Sequence, residues 1–264
     1  MKQVWLGTSW KMNKPLSDAI AWCETLAEQL PAQLHPRIQP FFIPPFTAIH
    51  AVSCFLQARQ LPCLIGAQNV HEAESGAWTG EISASMLVEA GAALVELGHS
   101  ERRAAFNETD AAINKKVHTV LRHGLRPLVC IGDSADEKHW QVSRETVIRQ
   151  MKIALHGLTV EQALQTLVAY EPVWAIGEHG VPATQEEASE IHQALRQALC
   201  EMFGESAGQQ IPLLYGGSVN AGNAIALLEQ PDIDGLFIGR AAWDAAGYCN
   251  IVQRVKQEFI LKTL

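Results

Sequence analysis

Leu167-Val168-Ala169-Tyr170-Glu171-Pro172-Val173-Trp174-Ala175-Ile176-Gly177 opens on four apolar residues, meets a carboxylate and is checked by a proline. A short apolar run without strict alternation suits a strand buried on both faces, as in a parallel sheet. Similar runs recur at Val4 to Thr8, Phe41 to Ile43, Leu64 to Ala67, Ala93 to Leu97, Leu128 to Ile131, Ile211 to Tyr215 and Leu236 to Ile238. Their starts lie about 33 residues apart, the length of one strand-plus-helix unit. Between the runs, Ser17 to Leu30, Ala111 to Arg122 and Glu186 to Phe203 carry apolar residues at helical spacing. Each pattern is followed by Pro31, Gly124 or Gly204, the residues that stop helices. No linker or low-complexity stretch divides the chain, so residues 1–264 read as one domain. Eight strands alternating with helices fit a closed (β/α)8 barrel or an open doubly wound sheet. No GxGxxG or GxxxxGK announces the open sheet, and a single-domain α/β barrel is predicted.

Composition narrows the partners. The 264 residues are 48% hydrophobic and 18% charged, which excludes disorder. With 20 basic and 28 acidic side chains the formal charge is −8, a surface that repels nucleic acid and anionic lipid. No apolar stretch is long enough for a membrane span, and the opening residues do not read as a signal peptide. Six scattered cysteines without a CxxC pair read as reduced thiols, so a cytoplasmic protein is expected. Any anion it binds must be held by a local device.

Barrel chemistry lies at the C-terminal ends of the strands. There the sequence places Lys11, His99 with Glu101, Glu171, and two glycine-rich turns, Gly216-Gly217-Ser218 and Gly239-Arg240. Singly, Lys11 reads as a solvated lysine, His99 as a turn histidine and Glu171 as a loop carboxylate. Together on one rim they read as a cation, an imidazole and a base. Gly216-Gly217-Ser218, if followed directly by a helix, would offer backbone N–H groups to an anion. The histidines show no HExxH and no serine elbow is present, so no metal and no cofactor are expected. A Schiff base on Lys11 is the minority alternative.

Four segments carry a further signal: Trp10-Lys11-Met12-Asn13, Gly98-His99-Ser100-Glu101-Arg102-Arg103, Ala169 to Gly177, and Tyr215-Gly216-Gly217-Ser218-Val219. In this order and spacing the chain resembles the triosephosphate isomerase family from end to end. The resemblance implies that Glu171 is the base and His99 a neutral electrophile, the pairing for which this family is a standard example. It implies that Lys11 stabilises the developing oxyanion, with Glu101 a supporting acid. Amides of Gly177, Ser218 and Gly239 would hold the phosphate of a small phosphorylated sugar. Pro172 to Ala183 would close as a lid, and the His71 to Gly80 loop, with Trp78, would insert into a second subunit of a homodimer.

The chain departs from that family's pattern at the site itself. Ser9 stands where the family has an asparagine that touches substrate, which opens space and removes an NH2 donor. Arg240 follows Gly239 where a second glycine is usual, and brings a guanidinium to the phosphate rim. The lid is one residue longer and lacks its lysine. Ser9 and Gly239-Arg240-Ala241-Ala242-Trp243 resemble a paralogous branch that converts L-erythrulose 1-phosphate to D-erythrulose 4-phosphate. That four-carbon substrate is therefore expected, with triose phosphates as the alternative and a silent sugar-phosphate-binding barrel as the reading from another class.

Overall fold

Each of the eight apolar runs forms a strand in the computed structural model, which describes residues 3–30, 34–176, 180 and 182–261. The strands are β1 Val4–Ser9, β2 Ile38–Ile43, β3 Leu64–Ala67, β4 Leu94–Leu97, β5 Arg126–Ile131, β6 Leu167–Tyr170, β7 Leu213–Tyr215 and β8 Gly235–Ile238. All pair in parallel with their sequence neighbours, and β8 pairs back onto β1 to close the barrel. Helices fill every connection, among them Leu16–Gln29, Asp110–Arg122 and Gln185–Phe203, within a residue of the spacing-based expectation. The last starts on a capping box, in which Thr184 and Glu187 satisfy each other's backbone N–H groups.

Side-chain parity divides the core into two layers. Trp5, Phe41, Leu94, Leu128, Leu167, Leu214 and Phe237 point inward and fill the barrel. Their neighbours Leu6, Phe42, Val95, Val129, Val168, Leu213 and Leu236 point outward under the helices. The interior is tight enough that a Cβ at Gly7 would overlap the Phe41 ring. Continuing the inward parity to the strand tops reaches Ser9 on β1, Glu96 on β4, Cys130 on β5 and Ala169 on β6. Two more inward steps reach Glu171 and Gly216, just past β6 and β7. The barrel is thus apolar through its body and polar where the strands end.

Candidate active site

Strand register sets the position of Glu171. Ile131, Tyr170 and Tyr215 stand side by side on β5, β6 and β7. The next residue of each strand therefore meets its neighbours at the rim. The Glu171 N–H donates to the Ile131 carbonyl at 2.8 Å, and the Gly216 N–H donates to the Tyr170 carbonyl at 2.8 Å. A Cβ at Gly216 would sit 2.7 Å from Glu171 Cγ, so glycine there makes room for the carboxylate's stem. Glu171 is 4% exposed, and its Oε2 has no hydrogen-bond partner. Burial, and then repulsion from Glu96, pushes this carboxyl up to about 8.

His99 follows Gly98, whose φ of 72° turns the chain off β4. Arg103 braces that turn, its Nε donating to the Gly98 carbonyl at 2.6 Å and its guanidinium to the Cys130 carbonyl at 3.0 Å. His99 caps the helix Ser100–Phe106, its Nδ1 accepting the Glu101 N–H at 3.2 Å. A nitrogen that accepts carries no proton, so the neutral ring holds its proton on Nε2. That Nε2 lies 3.5 Å from Glu171 Oε1. Burial, and then the Lys11 charge, pushes the imidazole down to about 4, so the ring is neutral at physiological pH.

Lys11 sits in a left-handed conformation, φ 54°, just past β1. The Gln68 side-chain amide holds this bend by donating to the Lys11 carbonyl at 2.7 Å. Its ammonium reaches Glu101 Oε1 at 2.7 Å. Lys11, Glu101, His99 and Glu171 all line one cavity of about 660 Å³, and so do Ser9, Ser218, Gly239 and Arg240. Strands β1, β4, β6, β7 and β8 thus bring the expected side chains to a single site. Gly177 lies outside the described residues, as does the middle of the Pro172 to Ala183 segment.

One expectation is corrected. Ser218 does not open a helix, because Asn220 and Asn223 build a turn first. The Asn220 N–H donates to Asn223 Oδ1 and the Asn223 amide to the Ser218 carbonyl, each at 2.8 Å, and the helix begins only at Ala224. Ser218 therefore presents no helix end to an anion.

The start of the Pro172 to Ala183 segment is anchored. Val173–Ala175 forms a single 3-10 turn, and the Trp174 indole N–H donates to Asp133 Oδ2 at 3.0 Å. Asp133, fully buried, also accepts from Tyr170 at 2.8 Å and Ser143 at 2.6 Å. Lys138 lies 3.2 Å over the Trp174 ring.

Glu96 is the residue that sequence reasoning passes over. It is 2% exposed, inside the barrel beneath the cavity, and Ser9 Oγ donates to its Oε2 at 2.8 Å. Cys130 Sγ approaches its Oε1 at 4.0 Å. Burial is the main cause that pushes the Glu96 carboxyl up to about 7. The available signal is parity: a carboxylate flanked by Leu94, Val95 and Leu97 takes the inward side of its strand along with Leu94.

Taken together, the site offers a buried, unsatisfied carboxylate facing a neutral N–H donor, with a lysine ammonium on the same wall. This set suits proton abstraction beside a carbonyl whose oxygen gathers charge. Among the described residues no group of histidine, cysteine and carboxylate side chains has the arrangement to hold a metal ion. No helix among them is long and apolar enough to cross a membrane.

Comparison with known proteins gives concordant findings. A family model described as triosephosphate isomerase matches residues 4–255. The chain is 47% identical over 253 residues to an L-erythrulose-1-phosphate isomerase of Rhizobium etli, covering 96% of this chain and 92% of that protein. Proteins of the same name from Mesorhizobium japonicum and Mycolicibacterium smegmatis are 47% identical over 252 and 251 residues. Both alignments cover 95% of this chain, with 96% and 92% of the respective relatives.

Proposed function

The chain belongs to the triosephosphate isomerase family and is an isomerase, and on that premise we propose that it interconverts L-erythrulose 1-phosphate and D-erythrulose 4-phosphate. Glu171, once ionised, takes a proton from the carbon beside the substrate carbonyl. His99 Nε2–H and the Lys11 ammonium meet the oxygen that becomes negative, and an enediolate forms. The proton returns to the neighbouring carbon, so carbonyl and hydroxyl exchange places and nothing is added or lost. Burial favours this step, because a poorly solvated carboxylate is a stronger base than one in water. Glu101 holds the ammonium in place, and Ser218, Gly239 and Arg240 take the phosphate.

The 3.5 Å approach of His99 Nε2 to Glu171 Oε1 supports the proton-transfer reading most directly, since a binding module needs no aligned base and donor. The four-carbon substrate is supported by the short Ser9 side chain on the cavity wall and by the names of the relatives. The second reading, triose phosphates, is favoured by the description of the matching family model. Side-by-side kcat/KM on L-erythrulose 1-phosphate and dihydroxyacetone phosphate tests the choice. A large preference for the triose would overturn the four-carbon reading, and no solvent deuterium entering either substrate would favour a silent barrel.

The same proposal includes a homodimer in the cytoplasm. Trp78 is 54% exposed and tilted against the His71 ring, with centroids 4.4 Å apart, an aromatic surface that a second subunit would cover. The six cysteines are all free, which suits a reducing compartment.

A further inference from the structure

The mechanism above uses the carboxylate, the imidazole and the ammonium but leaves a buried pair beneath them without a task. Ser9 Oγ lines the cavity and gives its hydrogen bond downward, to Glu96 Oε2 at 2.8 Å. A serine hydroxyl has one proton and two lone pairs. With that proton committed to Glu96, the oxygen presents only lone pairs to the cavity. The outcome is the same if Glu96 carries a proton on Oε1, because Oε2 remains an acceptor. Beyond Glu96, Cys130 leads toward the base: its Sγ lies 4.0 Å from Glu96 Oε1, and Cys130 pairs with Ala169 on β6, two residues before Glu171. A polar floor of Ser9, Glu96 and Cys130 therefore lies beneath the cavity that Glu171 lines.

Dihydroxyacetone phosphate and L-erythrulose 1-phosphate differ by one hydroxymethyl group on that carbon. Any protein that prefers the longer sugar must receive an added hydroxyl there, and a hydroxyl arriving with its proton requires an acceptor. Lys11 and the His99 Nε2–H are donors and cannot serve. We propose that Glu96 is a positioning residue for substrate choice, which fixes the Ser9 hydroxyl as an acceptor for the terminal hydroxymethyl group of a four-carbon ketose phosphate. This rests on the four-carbon reading above.

The experiment measures kcat/KM on both sugars for the parent, Glu96→Leu, Glu96→Gln and Ser9→Ala. In Glu96→Leu the ratio of four-carbon to three-carbon kcat/KM falls about tenfold or more, the scale of one hydrogen bond in a specificity pocket. Glu96→Gln keeps the ratio within about threefold, because its amide oxygen still accepts the serine proton. A purely structural role for Glu96 lowers both sugars together and leaves the ratio where it was, which overturns the proposal. If Glu96→Leu does not fold, Ser9→Ala and Glu96→Gln decide: an unchanged ratio in Ser9→Ala, or a ratio that collapses in Glu96→Gln, overturns it equally. A parent that prefers the triose is seen before any variant is made, and it removes the four-carbon reading itself.

Discussion

Replacing Glu171 by glutamine tests the site through two independent readouts. The amide matches the carboxylate in shape but cannot take a proton, so kcat falls by roughly 10²–10⁴, the range for a lost general base. The second readout is stability. Burial raises this carboxyl from 4.5 to about 8 in the folded chain. The folded parent therefore holds a proton that the unfolded chain has already released, and its stability declines as pH rises from 4.5 through 8. Glutamine does not titrate, so the variant gains on the parent along the same interval. A displacement of that size corresponds to roughly 5 kcal/mol if fully realised. Glu171 borders an open cavity that admits water, and we take less than half, on the order of 2 kcal/mol, or about 5 °C in Tm. Thermal melts of parent and variant at about pH 5 and about pH 9 measure it. A variant that melts above its parent by the same margin at both pH values refutes the raised carboxyl. Turnover equal to the parent refutes the base.

Three more outcomes follow from the geometry. Gly216→Ala places a methyl group 2.7 Å from Glu171 Cγ, and displacing the base lowers kcat about 10- to 100-fold with a smaller change in KM, read by steady-state kinetics. Asp133→Ala strips the acceptor from Tyr170, Ser143 and Trp174, and thermal denaturation should show a loss of about 3 kcal/mol. Trp78→Glu puts a charge on the proposed subunit contact, and sedimentation equilibrium should give a monomer; an unchanged mass for parent and variant, both monomeric, removes the dimer.

The barrel was legible because its strands are buried on both faces, so each writes an uninterrupted apolar run. The start of β2 was not, since Gln39 and Pro40 interrupt the run that Phe41 resumes. Lys11, His99 and Glu171 stand out because polar residues directly after apolar strands have few reasons to be there. The 3.5 Å between His99 and Glu171 has no local signature, because it arises from the lateral pairing of β4, β5 and β6. Glu96 stayed hidden for the opposite reason: it lies within an apolar run, and only counting alternate residues reveals that it turns inward. The delayed helix after Ser218 depends on two asparagine side chains capping a turn, a choice the glycines before it do not reveal.

Cys130 has a practical consequence. Burial, and then the charges of Glu171 and Glu96, hold its thiol well above the ordinary cysteine value. Such a sulfur stays protonated and reacts sluggishly with peroxides and alkylating reagents. Cys54 is the one exposed cysteine of the six and sits on the outer helix Phe46–Ala58. A maleimide dye or spin label would therefore settle on the periphery and leave the catalytic chamber untouched, giving a reporter for watching the enzyme at work.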